Sequence, residues 1–226
     1  MNLILIGYRG TGKSTVAQLL ASRLEREILS TDAMVIEKAQ MLIPEIVEKL
    51  GWDHFRDLES TVCQNLRESD NLVLDTGGGV ANALPFLGGD AFLVLNSDVV
   101  ILKGKTPLIQ RLTDAWDSNL MDALLLLQPI ENSFGYSGPG DFHLQTNGLL
   151  RRSTKGTYAP FLFTGVQMLK RSLFRSVPSS PFSLNFLYNR AQENGRLYGI
   201  IHDGEWLHVG TPDAMRKAEM YIRNLE

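Results

Sequence analysis

Gly7-Tyr8-Arg9-Gly10-Thr11-Gly12-Lys13-Ser14 satisfies the pattern G-x-x-x-x-G-K-[ST], and its flanks supply the context that the pattern requires. Ahead of it, Leu3-Ile4-Leu5-Ile6 is an apolar run with the length of a buried strand. Behind it, Val16, Leu19, Leu20 and Leu24 recur at helical spacing, so Ser14 to Leu24 reads as a helix with those four on its buried face. A strand, a glycine loop and a helix in that order make a phosphate-binding unit. Glycines let successive backbone N–H groups turn toward one anion, and the helix N-terminus adds positive potential. Lys13 is placed to reach the β- and γ-phosphates and the Ser14 hydroxyl to ligate Mg²⁺. Gly7, Gly10, Thr11, Gly12, Lys13, Ser14 and Thr15 form the candidate ATP-binding set. The alternative, a chance glycine turn, leaves both flanks unexplained.

Working outward, Ile28-Leu29-Ser30 reads as a second strand, and Asp32 just after it could meet a substrate hydroxyl or a magnesium ion. An aspartate in the first turn of a helix is also favourable by itself, so both readings stand. Ile43, Ile46, Val47 and Leu50 recur at helical spacing around Pro44, and Leu58, Val62 and Leu66 do so in a third helix. Arg56 on that helix follows Trp52 and Phe55. Its fork suits a carboxylate, although a solvated surface arginine is the commoner case. Leu72-Val73-Leu74 is a short strand that ends in Asp75-Thr76-Gly77-Gly78-Gly79-Val80, where three glycines permit close backbone approach to a ligand. The pattern to this point is α/β, with parallel strands expected.

After Val80 a short helix, Ala81 to Leu87, leads to a strand at Phe92 to Leu95, and the texture then turns extended. Leu124 to Leu127, Phe142 to Leu144, Leu149 to Arg152 and Phe161 to Thr164 read as strands separated by Gly, Pro, Asn and Ser. A helix closes the chain, with Thr211 as N-cap, Pro212 at its first position and Met215, Ala218, Ile222 and Leu225 as its apolar stripe. The fold class is therefore α/β: a P-loop-type parallel sheet followed by a mixed, β-rich part.

Composition bounds the rest. The 226 residues are enough for one large domain or two small ones. With 44% hydrophobic and 21% charged residues and a net charge of −3, the chain is an ordinary globular protein and a poor candidate for bulk nucleic-acid binding. Met1 to Ile6 carries no basic leader and no cleavage pattern, and no apolar run reaches the ~18 residues of a membrane span. Cys63 is the one cysteine, so no internal disulfide can form, which suits a reducing, cytoplasmic setting.

Taken together, Gly7 to Ser14, Asp32 with Ile36-Glu37, Ile43-Pro44-Glu45-Ile46, Phe55-Arg56-Asp57-Leu58-Glu59 and Thr76-Gly77-Gly78-Gly79-Val80 resemble the shikimate kinases, collinearly from Met1 to about Val80. The resemblance implies ATP and Mg²⁺ at Lys13 and Ser14, Asp32 at the reacting hydroxyl of a shikimate-like acid, Arg56 on its carboxylate, and Gly77, Gly78 and Gly79 lining the substrate site. Many members have Asp-x-Asp where this chain has Ser30-Thr31-Asp32. The family's lid and second substrate arginine are not recognisable.

From residue 81 the chain resembles instead the carboxy-terminal portion of the sugar-1-phosphate nucleotidyltransferases, of the N-acetylmuramate-1-phosphate uridylyltransferase and mannose-1-phosphate guanylyltransferase type. The segments that carry this include Phe92-Leu93-Val94-Leu95-Asn96-Ser97-Asp98, Gly140-Asp141-Phe142, Phe163-Thr164-Gly165-Val166-Gln167 and Trp206-Leu207-His208-Val209-Gly210-Thr211-Pro212. The resemblance implies that Asp98 holds magnesium between nucleotide and sugar 1-phosphate, although a loop-capping carboxylate is a comparable reading. His208 stands where a second metal-binding aspartate is common, and imidazole is the poorer Mg²⁺ ligand. The family's amino-terminal glycine-rich loop, with its following Arg and Pro-Lys-Pro stretch, is absent from this sequence.

These observations divide the chain into a kinase-like segment, 1–80, and a nucleotidyltransferase-like segment, 81–226, joined at the Thr-Gly-Gly-Gly that both families carry. At such a joint Phe92 to Leu95 is free to lie beside the first strand of the parallel sheet. The leading function is that of an ATP- and Mg²⁺-binding shikimate-kinase-like phosphotransferase. Sugar nucleotidyl transfer and an inactive or ATP-sensing fusion are the alternatives.

Overall fold

The computed structural model describes residues 3–5, 13–65, 72–75, 80, 84, 89–96, 98–102, 104–154, 156–175, 177 and 183–225. It falls into two compact units, Met1–Gly89 and Asp90–Glu226.

In the first unit β1 (Leu3–Leu5) precedes α1 (Lys13–Leu24), β2 (Glu27–Ser30) precedes α2 (Thr31–Ala39), and α3 (Ile43–Asn65) precedes β3 (Leu72–Asp75). All pairing is parallel, and the order is β1-β3-β2. The parallel α/β pattern expected from the sequence is therefore present. Helix α3 breaks at Gly51, whose φ of 85° and ψ of 169° are non-helical, so two helical pieces meet there. α2 and α3 share a core of Val35, Ile43, Ile46, Phe55 and Val62. Leu50, at the end of the first piece, is 46% exposed.

The buried face of α1 differs from the expected one. Ala17 and Ala21 pack on Val73 and Leu5, while Val16, Leu19 and Leu24 are 41%, 64% and 44% exposed. A methyl side chain lets a helix lie close to a sheet, and that proximity turns the bulkier apolar residues outward. The expected helix Ala81 to Leu87 lies outside the described residues apart from Leu84.

The second unit is built on a mixed sheet of order β11-β6-β10-β8-β9, with β4 also on β10. Its strands are β4 (Ala91–Leu95), β6 (Ala123–Pro129), β8 (Phe142–Leu144), β9 (Leu150–Arg152), β10 (Phe161–Lys170) and β11 (Leu197–Ile201). Six consecutive buried residues, Ala123 to Gln128, mark β6 as the sheet's interior strand. It pairs parallel with β11 and antiparallel with β10. β4 takes β10 as its partner, antiparallel, from Leu95↔Val166 to Ala91↔Lys170. The slot beside the first parallel strand is therefore not the pairing seen for Phe92 to Leu95.

A helix α4 (Leu108–Ala115) places the fully buried Leu112 against Leu124, Leu126 and Val166. Another, α5 (Asn185–Glu193), buries Leu187, Tyr188 and Ala191. A second sheet of three strands joins β5 (Val99–Ile101), β12 (Trp206–His208) and β7 (Ser133–Phe134) in the order β5-β12-β7. The last helix, α6 (Pro212–Arg223), begins as expected: Thr211 Oγ1 accepts from the Ala214 N–H at 3.1 Å. Its apolar stripe is narrower than expected. Ala218 is buried, but Met215 and Leu225 are 56% and 55% exposed.

Candidate functional site

In the first unit the strand register gathers three carboxyl ends. Leu5 of β1 and Ser30 of β2 are both Cα partners of Asp75 on β3. The segments that leave those ends carry the candidate residues: 6–12 and then Lys13 after β1, Asp32 after β2, and Gly77 to Gly79 after β3. The rim beyond the carboxyl ends of parallel strands is where open α/β sheets bind ligands, because loops and helix N-termini converge there. Gly7, Gly10, Thr11, Gly12, Gly77, Gly78 and Gly79 lie outside the described residues. Lys13 is the first residue of α1, and Ser14 and Thr15 beside it are exposed.

Asp32 is half-buried in the first turn of α2, whose N-cap is Ser30; the Ser30 hydroxyl accepts from the Ala33 N–H at 3.3 Å. The cap fixes where the helix starts and therefore where Asp32 stands relative to the strand end. Arg56 sits on the second piece of α3. Its guanidinium lies 5.8 Å from the Trp52 ring centroid and 5.6 Å from that of Phe55. It also pairs with Glu59 one turn on. The Glu59 side chain is 8% exposed against 48% for Arg56, so a buried carboxylate and two rings hold a guanidinium that still reaches solvent. Glu59 escaped the sequence reading, though its i+3 spacing from Arg56 signals the pair. The structure places Asp32 and Arg56 on helices that share one core.

In the second unit Asp98 and His208, far apart in the chain, meet where β5 and β12 begin and end. His208 is the Cα partner of Val99, and the Val209 N–H donates to the Asp98 carbonyl at 3.0 Å. Gly210 stands between the two side chains. A Cβ there would lie 3.0 Å from His208 Nε2, 2.6 Å from its Cε1 and 3.6 Å from Asp98 Cβ. The His208 ring stacks on Trp206 at 6.2 Å, and the Trp206 indole N–H donates to the Thr164 carbonyl at 2.9 Å.

That carbonyl belongs to a bulge in β10 between Phe163 and Gln167, where Gly165 adopts a φ of 87°. Two residues on, the buried Gln167 accepts from the Tyr188 hydroxyl at 2.6 Å, and burial raises the Tyr188 phenol above its ordinary range. Among the described residues no group of three or more His, Cys, Asp or Glu is gathered to hold a metal ion. Nor is any helix among them long and apolar enough to cross a membrane.

Comparison with known proteins finds relatives of both kinds. The shikimate kinase family model matches residues 9–85. A shikimate kinase from Sulfurihydrogenibium sp. (strain YO3AOP1) is 35% identical over 131 residues, 58% of this chain and 74% of that one. An N-acetylmuramate alpha-1-phosphate uridylyltransferase from Caulobacter vibrioides is 36% identical over 146 residues, 65% of this chain and 60% of that one. The chain spans about three fifths of the length of the first curated relatives it matches. Among solved structures, a candidate glucose-1-phosphate thymidylyltransferase from Bacillus anthracis superposes with a TM-score of 0.55 at 16% identity, over all of this chain and 97% of that one. At that identity the likeness is one of fold. The chain belongs to the shikimate kinase family, and part of it is similar to the sugar-1-phosphate nucleotidyltransferases.

Proposed function

We propose that the chain is a transferase whose working site is an ATP- and Mg²⁺-binding phosphotransferase module of the shikimate kinase type, acting on the hydroxyl of a shikimate-like acid. The observation that carries this reading is the register that sets Leu5, Asp75 and Ser30 side by side. It supports one rim for the phosphate loop, Asp32 and the triple glycine. The proposed division is a kinase-like segment 1–80 and a nucleotidyltransferase-like segment 81–226, in a cytoplasmic protein whose partners are small molecules and neither nucleic acid nor membrane.

Transfer joins the acceptor oxygen to the γ-phosphorus as the bond to the bridging oxygen breaks, and the acceptor proton must leave. Asp32 is the group to receive that proton. Arg56, braced by Glu59 and the two rings, holds the substrate carboxylate, and the backbone at Gly77 to Gly79 lets it approach. Lys13 and the loop N–H groups of Gly7 to Gly12 hold the phosphates, with Ser14 and Thr15 next in line. The Ser14 hydroxyl and Asp32 carboxylate are hard oxygen donors and suit Mg²⁺, which when bound neutralises phosphate charge. With the lid and second arginine missing, turnover slower by roughly 10³-fold is expected. A coupled assay for ADP release from ATP tests the reading. ADP release that requires shikimate and is lost in Asp32→Ala supports it, and Mg-ATP binding without shikimate-dependent turnover leaves an ATP-sensing fusion instead.

A second reading, nucleotidyl transfer to a sugar 1-phosphate, is favoured by the meeting of Asp98 and His208 around Gly210. One carboxylate and one imidazole fit Mg²⁺ only in part, because imidazole suits softer cations. The readout is pyrophosphate release from UTP or GTP.

A further inference from the structure

The unit Asp90–Glu226 carries an open cleft of about 450 Å³ between β7, β12 and α6, within the range of small-molecule sites. Neither candidate site residue of that unit, Asp98 or His208, lines it. Phe134 and Tyr221 form one wall, their rings tilted by 33° with centroids 4.8 Å apart. Asp203 and Glu205 supply two carboxylates.

The hydroxyls around the cleft have spent their donors inward. The Ser133 hydroxyl donates to the Ile130 carbonyl at 2.7 Å. The Tyr221 hydroxyl donates to Glu205 at 2.8 Å, an interaction that raises the phenol's pKa. Behind Asn132 and Gly204, the amide nitrogen of Gln128 donates to the Asn132 carbonyl at 2.9 Å and reaches the Gly204 carbonyl at 3.5 Å. Gln128 is 1% exposed, and its own carbonyl oxygen has no partner. What remains to meet a visitor is the Asn132 carboxamide, carbonyl and carboxylate acceptors, and negative charge. Arg111 pairs with Asp203 at 2.7 Å and donates to the Ile201 carbonyl at 2.6 Å, so Asp203 is neutralised, while among the described residues Glu205 forms no ion pair.

We propose that this cleft binds a protonated alkyl amine, its ammonium on Glu205 and its stem along the Phe134–Tyr221 wall. An ammonium is all donor, matches an acceptor-rich lining, and gains from the faces of aromatic rings. A neutral polyol would bring donors without charge. An anion would meet Glu205 unfavourably.

Calorimetry on the full chain with three ligands of one length separates these cases: 1,5-diaminopentane, 1,5-pentanediol and glutarate. The diamine is expected to bind, the diol at least tenfold more weakly and glutarate not at all, with diamine affinity falling as salt rises. Glu205→Gln, isosteric, is expected to weaken the diamine about tenfold. Tyr221→Phe removes the donor that occupies Glu205 and is expected to bind the diamine as well as or better than the parent; a wall that only supported the fold would bind worse. Absence of diamine binding, equal affinity for the diol, or weaker binding in Tyr221→Phe with a circular dichroism spectrum like the parent's would overturn the proposal.

Discussion

Lys13 opens α1, at the point where a phosphate-binding helix presents its positive end. Lys13→Ala removes the cation nearest the β- and γ-phosphates and leaves the backbone cradle intact, so Mg-ATP affinity is expected to fall by at least about tenfold in calorimetry. Equal binding by parent and variant would refute the phosphate-loop reading. His202 makes a different kind of prediction. It is 5% exposed, and neither ring nitrogen makes a well-aligned hydrogen bond. Loss of hydration pushes its pKa below the ordinary 6.5, and the nearby Glu205 and Leu102 backbone and the Asp203 carboxylate offset this only in part. The folded-state value lies below the unfolded one, so the unfolded chain takes up the proton first as the pH falls. Stability from this group is full above about pH 6.5 and is lost on descending toward the folded-state value. The urea midpoint of the second unit is therefore expected to drop between pH 7 and pH 5, and His202→Gln to flatten that drop.

Elements show where sequence reasoning reached and where it stopped. The cap of α6 was legible because Thr211 and Pro212 act locally. Thr211→Ala leaves the Ala214 N–H without its side-chain acceptor and is expected to cost about 1 kcal/mol in a denaturant titration. Periodicity alone chose the wrong face for α1: Val16, Leu19 and Leu24 outweigh Ala17 and Ala21 in hydrophobicity, yet closeness to Val73 favours the alanines. From sequence the strand that begins at Phe161 ends at Thr164, because an isolated glycine such as Gly165 reads as punctuation. It is a bulge, and the strand runs on to Lys170. Gly165 cannot gain a side chain without meeting Asn96, whose Cβ would lie 2.8 Å from the added carbon. Asp98 and His208 were each named from sequence, but their meeting depends on the pairing of β5 with β12, which no local pattern announces.

Across the whole molecule, length of resemblance and capacity for chemistry point in opposite directions. The uridylyltransferase match covers 65% of the chain, yet the glycine-rich nucleotide loop of such enzymes is missing from the sequence. Positioning contributes on the order of 7 kcal/mol or more to a two-substrate reaction, so its loss is worth many decades in rate. Nucleotidyl transfer is accordingly expected to be undetectable. Stoichiometric pyrophosphate release that requires a sugar 1-phosphate and vanishes in Asp98→Ala would reverse that conclusion. Both resemblances are legible in the sequence because the segments that carry each are dense and collinear. The partner of β4 is not, since strand pairing is settled by the sheet as a whole. One feature of the first sheet bears on how the protein comes into being. Its interior strand, β3, is the last of the three in sequence, and both earlier strands pair with it and not with each other. During synthesis β1 and β2 must wait for β3, an interval of a few seconds at ribosomal speeds of ~5–20 residues per second. A nascent chain stalled before Leu72 would hold two strands with no template, an open invitation to a chaperone.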